Sequence, residues 1–172
     1  MKKLLPSPEE LRKLLRYEPE TGKLFWLHRP NARKEWNTRH AGKEAFTAKS
    51  GRYRHGSVNN VLFYAHRVIW AIETGAWPTD EIDHINGNGL DNTWQNLRKA
   101  TRFQNMKNLK KPSTNTSGYK GVSKHTEVNK WIARIRSDGK LMCLGNFETK
   151  EEAYAAYCKA SAKLHGQFSN FG

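Results

Sequence analysis

The spacing of apolar positions changes several times along this chain, and each change marks an element. Leu11, Leu14 and Leu15 form a short stripe at helical spacing. Ser7-Pro8-Glu9-Glu10 ahead of them reads as a helix start, with Ser as cap, Pro at the first helical position and Glu at the third. Pro19-Glu20-Thr21-Gly22 predicts a turn, and Lys23 to Leu27 a strand. The basic stretch from His28 to Arg39, punctuated by Pro30, has no periodicity that decides its structure. Tyr53 to Val58 and Val61 to Tyr64 flank Asn59-Asn60 and predict a hairpin, since Asn tolerates the left-handed turn conformation. Val68, Ile69 and Ile72 then mark the packed face of a helix from Ala65 to Thr74, stopped by Gly75 and Pro78.

Periodicity disappears from Leu109 to Gly118, a polar stretch with Pro112 that reads as a linker. Three strand-like runs follow, Tyr119–Ser123, Trp131–Arg136 and Leu141–Leu144, and Asp138-Gly139 predicts a hairpin between the last two. The chain closes on one helix, capped by Thr149 with Glu152 three residues on, carrying Ala153, Ala156, Tyr157, Ala160 and Leu164, and ended by Gly166. The expected fold class is α+β. The expected divisions are residues 1–50, a helix plus strands of unassigned role; 51–108; the linker 109–118; and 119–172.

Composition narrows the partner. In 172 residues there are 30 Lys and Arg against 16 acidic residues, a net charge of +14. Such a charge calls for a polyanion, and nucleic acid is the first candidate, because each neutralised phosphate releases a counterion. Hydrophobic residues are 37%, yet six Trp, six Tyr and seven Phe supply the apolar mass for small folded modules. Two cysteines without a C-x-x-C pair argue against a disulfide framework and against zinc. No apolar run reaches membrane length, and Met1 to Pro6 lacks the apolar core of a secretory signal. The expectation is an intracellular, cytoplasmic protein (host cytoplasm if phage-encoded) with no membrane partner and no small-molecule cofactor.

The candidate chemistry lies in Ile82-Asp83-His84-Ile85-Asn86-Gly87-Asn88, with Asn96 twelve residues after His84 and Asn105 nine further on. Thr101 and Gln104 form a capping box that puts Asn105 near the start of a short helix. Phosphodiester hydrolysis needs an activated water, neutralised phosphate charge and help for the leaving oxygen. An imidazole can take the water's proton, a divalent ion on a carboxylate and a carboxamide can cover the phosphate, and an Asn oxygen can orient the imidazole. With one carboxylate, the ion would be a single hard one such as Mg²⁺ or Mn²⁺. On spacing alone, a satisfied polar turn explains the same residues. His66 reads as structural, on a helix beside an apolar stripe, and Arg98 and Arg102 serve either as phosphate clamps or as a solvated face.

The string from Ile82-Asp83-His84-Ile85-Asn86-Gly87 through Leu90-Asp91-Asn92, Trp94, Asn96-Leu97-Arg98, Ala100-Thr101 and Gln104-Asn105 resembles the phage-type HNH endonucleases. Ala65 to Ala71 and Gly75 to Pro78 share that resemblance, which covers about residues 50–108. It implies a ββα-metal core around one divalent ion, with Asp83 and Asn105 as metal ligands, His84 as general base and Asn96 as its orienter. Many relatives carry His where this chain has Asn105, although the family includes Asn there.

From Arg98 to Lys140 there are twelve basic residues and two acidic ones, Glu127 and Asp138. Strand alternation puts Arg134 and Arg136 on one face with Ile132, opposite Trp131, where they could read guanine edges in a major groove or merely be solvated. Arg102, Lys120, Lys130 and Lys140 lie on the same basic track. Tyr119-Lys120-Gly121-Val122, Lys130 to Ile135, Leu144 to Phe147 and Glu151 to Tyr157 resemble the AP2 DNA-binding domain. That resemblance implies a three-stranded antiparallel sheet backed by one helix, with Lys120, Arg134 and Arg136 at DNA-facing positions. Because this chain has Lys120 and Met142 where plant relatives often carry Arg or Trp, base preference does not carry over.

The two modules in this order resemble phage HNH homing endonucleases with an AP2 domain, among which nicking is common; the motif itself does not set the number of strands cut. The leading expectation is a site-specific, metal-dependent endonuclease acting on double-stranded DNA as one copy. A DNA-binding regulator without cutting activity is the alternative, and RNA is disfavoured because an A-form major groove excludes a sheet face.

Overall fold

A computed structural model describes residues 5–172, so Met1 to Leu4, the greater part of the stretch read as lacking a secretory signal, lie outside the described residues. The chain divides into two compact units, one ending at Lys99 and the other running from Ala100 to Gly172.

In the first unit α1 (Pro8–Leu14) starts where the cap signal puts it: the Ser7 hydroxyl accepts from Glu10 N, and the Glu10 carboxylate accepts from Ser7 N. Leu15 leaves the helix. It is extended (φ −137°, ψ 138°) and opens a strand that the apolar stripe did not reveal, β1 (Leu15–Glu18). β1 pairs antiparallel with β2 (Lys23–Trp26), and β2 with β3 (Glu44–Ala45). Between them lies α2 (Lys34–His40), in the stretch whose structure periodicity left open. It buries no residue of its own. Instead Arg29 sits between the rings of Trp26 and Trp36, 4.6 and 4.1 Å from their centroids, and Asn37 exchanges two hydrogen bonds with the Arg29 backbone.

β4 (Ala48–Ser50), β5 (Tyr53–Val58) and β6 (Val61–Tyr64) form a second antiparallel sheet. Asn59 and Asn60 turn its hairpin with φ of 50° and 59°, as a two-residue loop matched to strand twist requires. α3 (Ala65–Thr74) buries Val68, Ile69 and Ile72 and ends at Gly75 with φ 74°. β7 (Glu81–His84) and β8 (Leu97–Ala100) make a two-stranded ribbon. One apolar cluster joins Leu11, Leu15, Tyr17 and Leu24 to Val58, Ile69, Ile82 and Leu97, so the first fifty residues share a core with the segment that carries Asp83 and His84.

The second unit opens with α4 (Arg102–Lys107), whose Thr101–Gln104 capping box is formed in both directions. β9 (Val122–Lys124), β10 (Trp131–Ser137) and β11 (Lys140–Phe147) pair antiparallel with β10 in the centre. β9 begins three residues later than Tyr119, because Tyr119–Gly121 is spent on a turn with Gly121 at φ 74°. Asp138 and Gly139 turn the β10–β11 hairpin with φ of 50° and 78°, and β11 runs on to Phe147 through a bulge opposite Ala133 and Arg134. α5 (Lys150–His165) is capped by Thr149 and Glu152 and packs Ala153 against Val122 and Ala133.

Candidate active site

β7 delivers Ile82, Asp83 and His84 in succession, and all three are buried, at 4%, 3% and 4% exposure. Three consecutive buried side chains, two of them polar, require partners on both sides of a ribbon. The loop that follows is tied largely by its own side chains. Asn96 spans it: its Oδ1 accepts from Asn86 N at 2.9 Å and its Nδ2 donates to Asp91 O at 2.7 Å. Asn86 donates to the Asp91 carboxylate at 2.7 Å, and Ile85 N to Asn96 O at 2.9 Å. Gly87, at φ 67°, makes the bend and donates to His84 O at 2.8 Å. Gly89 lies where a Cβ would run into the Arg52 carbonyl oxygen.

The imidazole of His84 has Asn92 Oδ1 3.0 Å from its Nε2. Asn96 bonds within the loop, and it is Asn92 that stands at hydrogen-bond distance from the imidazole. Tyr53 and His66 pack against His84, with ring centroids at 5.8 and 5.2 Å, and against each other at 5.0 Å. Burial lowers the His84 pKa below its ordinary value, against the opposing pull of Asn92 and of the carboxylates of Asp83 and Asp91. His66 is 6% exposed and its pKa falls to about 3, through burial first and then the neighbouring His84 and Arg67, which fits the structural reading of that residue.

Asp83 Oδ2 is engaged by Arg98, at 2.7 Å from Nη2 and 2.8 Å from Nε. Arg98 therefore turns inward to the acid beside His84. In the first unit Asp83, His84, Asn96 and Arg98 stand together with Asn92, a residue the motif string contained but to which spacing gave no task. Asn105 lies in the second unit, on α4, directly after the capping residue Gln104. As a donor set, one carboxylate and carboxamide oxygens suit a hard, oxygen-preferring ion.

The comparisons with known proteins bear on these residues. A protein-family model described as HNH endonuclease matches residues 63–107, from the end of the β5–β6 hairpin through α4. Protein 3.8 of Escherichia phage T7 is 37% identical over 109 residues, which cover 62% of this chain and 88% of that protein. The chain belongs to the HNH endonuclease family. Within that family it is also 37% identical over 106 residues to the uncharacterized HNH endonuclease L560 of Acanthamoeba polyphaga mimivirus, covering 60% of this chain and 54% of that protein. Its C-terminal region carries a different similarity, 35% over 78 residues, to the AP2-like ethylene-responsive transcription factor CRL5 of Oryza sativa subsp. japonica, spanning 42% of this chain and 12% of that one. No solved structure matches the chain.

In this HNH-family chain the basic residues of the second unit are not equivalent. Arg134 and Arg136 are exposed on β10, whereas Ile132, two residues earlier on the same face, is 6% exposed. Arg102 is exposed on α4 and Lys140 at the start of β11. Lys130 pairs with Glu148 at 2.7 Å at the surface. Lys120 is half-buried and donates to the carbonyls of Lys107 and Leu109 at the end of α4; burial lowers its pKa to about 8.

Proposed function

We propose that this chain is a site-specific, metal-dependent endonuclease that hydrolyses phosphodiester bonds in double-stranded DNA. The observation that carries the reading is the buried Asp83–His84 pair at the end of β7, inside the segment that matches the HNH endonuclease model, with its imidazole held at Nε2 and its pKa lowered by burial. An imidazole below its ordinary pKa is unprotonated at neutral pH and can take the proton of an attacking water. Asp83, with Asn105 in the part the family resemblance gives it, would hold one Mg²⁺ or Mn²⁺ through oxygen atoms; such an ion, when bound, neutralises phosphate charge and stabilises the leaving oxygen. Asn96 keeps the loop after β7 in shape, so that Asp83 and His84 present together. Arg98 balances the Asp83 charge and would bring a cation to a phosphate there.

The AP2-like similarity, the exposed Arg134 and Arg136 and the charge of +14 support duplex DNA as the partner, with recognition assigned to the β9–β11 sheet. The order of modules, nuclease then reader, resembles phage homing endonucleases, among which nicking is common, and on that resemblance alone a nicking enzyme acting as one copy is proposed.

The test is incubation of supercoiled plasmids carrying genomic fragments with the protein, with and without Mg²⁺, beside His84→Ala. Metal-dependent open-circular product that vanishes in the variant is expected; linear product would give cleavage of both strands. Intact plasmid, under conditions where a gel shift shows the DNA bound, would sink the nuclease reading and leave a DNA-binding regulator.

A further inference from the structure

Asn92 is 1% exposed, between Asp91 and Thr93, which keep partial contact with solvent. Its side-chain oxygen lies 3.0 Å from His84 Nε2. A carboxamide oxygen only accepts, so Nε2 must carry the ring proton, and a neutral imidazole then has its lone pair on Nδ1. Asn92 Nδ2 is buried and has no hydrogen-bond partner among the described residues. A side chain present only to fill space would avoid that cost, which points to a task for the oxygen.

The backbone of Asn92 is held from a distant part of the chain. The phenol of Tyr17, on β1, donates to Asn92 O at 2.8 Å, and Tyr17 is itself 9% exposed. The turn between β1 and β2 closes on the following residues: Trp94 N donates to Pro19 O at 3.1 Å. Gly22 fits there only as glycine, since a Cβ would stand 2.5 Å from both the Asn92 carbonyl carbon and Thr93 N. The residues joined in this way, Tyr17 to Gly22, belong to the region for which sequence motifs gave no role.

We infer that Asn92 is the positioning residue of His84, fixing its proton on Nε2 and leaving Nδ1 as the basic nitrogen, and that the β1–β2 hairpin holds Asn92 in that place. The inference rests on the proposed function, in which His84 is the general base, and deepens it. The amino-terminal hairpin is thereby part of the catalytic apparatus. Tyr53 and His66, in contact with each other at 5.0 Å, pack together against the ring, and the Asn92 oxygen selects its tautomer.

The experiment is long-range proton–nitrogen correlation NMR on ¹⁵N-histidine-labelled full-length protein, paired with cleavage kinetics. The wild type should show His84 as the Nε2–H tautomer. Asn92→Leu should move it towards the mixture of an unconstrained ring, and Asn92→Asp, which keeps an acceptor, should restore the Nε2–H pattern. Tyr17→Phe, which leaves Asn92 in the chain but releases its carbonyl, should give an intermediate spectrum and is the variant to read if Asn92→Leu does not fold. In cleavage, Asn92→Leu should lower kcat by about 10- to 100-fold with KM nearly unchanged, and Asn92→Asp should recover part of it. The spectra need no turnover, so a wild type that cuts no DNA would refute the proposed function while leaving the tautomer assignment readable. An Nδ1–H tautomer in the wild type, or an unaltered His84 spectrum in both Asn92→Leu and Tyr17→Phe, would overturn the inference. So would a changed tautomer with unchanged kcat.

Discussion

The guanidinium of Arg98 and the carboxylate of Asp83 meet at 2.7 Å, with side-chain exposures of 14% and 4%. A pair this far from water is energetically asymmetric: the whole pair is worth little, while half of it is expensive, because the surviving charge is desolvated and has lost its main counter-charge. Arg98→Ala is therefore expected to destabilise the protein by about 3–5 kcal/mol, and adding Asp83→Asn to the same chain should return a large part of that loss. Urea denaturation across the double-mutant cycle measures it. A loss in Arg98→Ala below about 1 kcal/mol would mean that Asp83 is sustained chiefly by its other interactions.

Acid should loosen the first unit through His66. The unfolded chain binds a proton there near the ordinary value of 6.5, whereas burial holds the folded side chain neutral down to about 3. Between those values unfolding takes up a proton, so stability is full above 6.5 and is lost as the pH falls, at about 1.4 kcal/mol per pH unit for this group. His84, also lowered, adds to the slope in the same direction. His66→Phe should remove one proton's share of the slope, and denaturation midpoints between pH 7 and 4 will report it. Parallel curves for wild type and variant would count against a neutral His66.

Two glycines separate backbone strain from packing. Gly22 and Gly51 both have positive φ, 69° and 57°, but a Cβ at Gly51 meets none of the described residues within 4 Å, while one at Gly22 meets the backbone of Asn92 and Thr93 at 2.5 Å. Gly51→Ala should cost about 1 kcal/mol from conformation alone, and Gly22→Ala should cost more because main chain must shift. Thermal melts of the two variants give the difference. Equal losses would show that the Pro19–Gly22 turn yields easily and holds Asn92 only loosely.

Legibility in the sequence followed the range of the forces. The three capping boxes, Ser7 with Glu10, Thr101 with Gln104 and Thr149 with Glu152, are bonds across three residues, and all three form as their spacing predicts. Asn59-Asn60 and Asp138-Gly139 are equally local, and both turn with positive φ. The start of β1 was hidden because Leu15 faces the core whether it ends a helix or begins a strand. α2 was hidden because Arg29 between Trp26 and Trp36 organises that stretch, and no apolar stripe records such a contact. In the site, Asp83, His84 and Asn96 were readable as a motif. The bond from Asn92 to His84 was not, since an Asn in a turn looks like any turn former until Tyr17, 75 residues earlier, is seen to hold it. Arg98 likewise reads as a phosphate clamp or a solvated cation, and only the ribbon pairing places it on Asp83.

Lys120 and Arg134 occupy DNA-facing positions in the AP2 resemblance, yet their surroundings predict different phenotypes. Arg134 is exposed on β10. Arg134→Ala should leave the melting temperature unchanged and weaken binding to the preferred site by about 1–3 kcal/mol if it reads a guanine. Lys120 has its ammonium on the carbonyls of Lys107 and Leu109, which would lose their donor in Lys120→Met. That variant should lower the melting temperature, at a cost of about 1–3 kcal/mol, and leave the dependence of binding on salt as it was. Anisotropy titrations of labelled duplex at several salt concentrations, beside thermal melts, distinguish the two. A phosphate contact at Lys120 would instead lower the salt slope by about one with no thermal effect, and that outcome would move Lys120 from the end of α4 to the DNA.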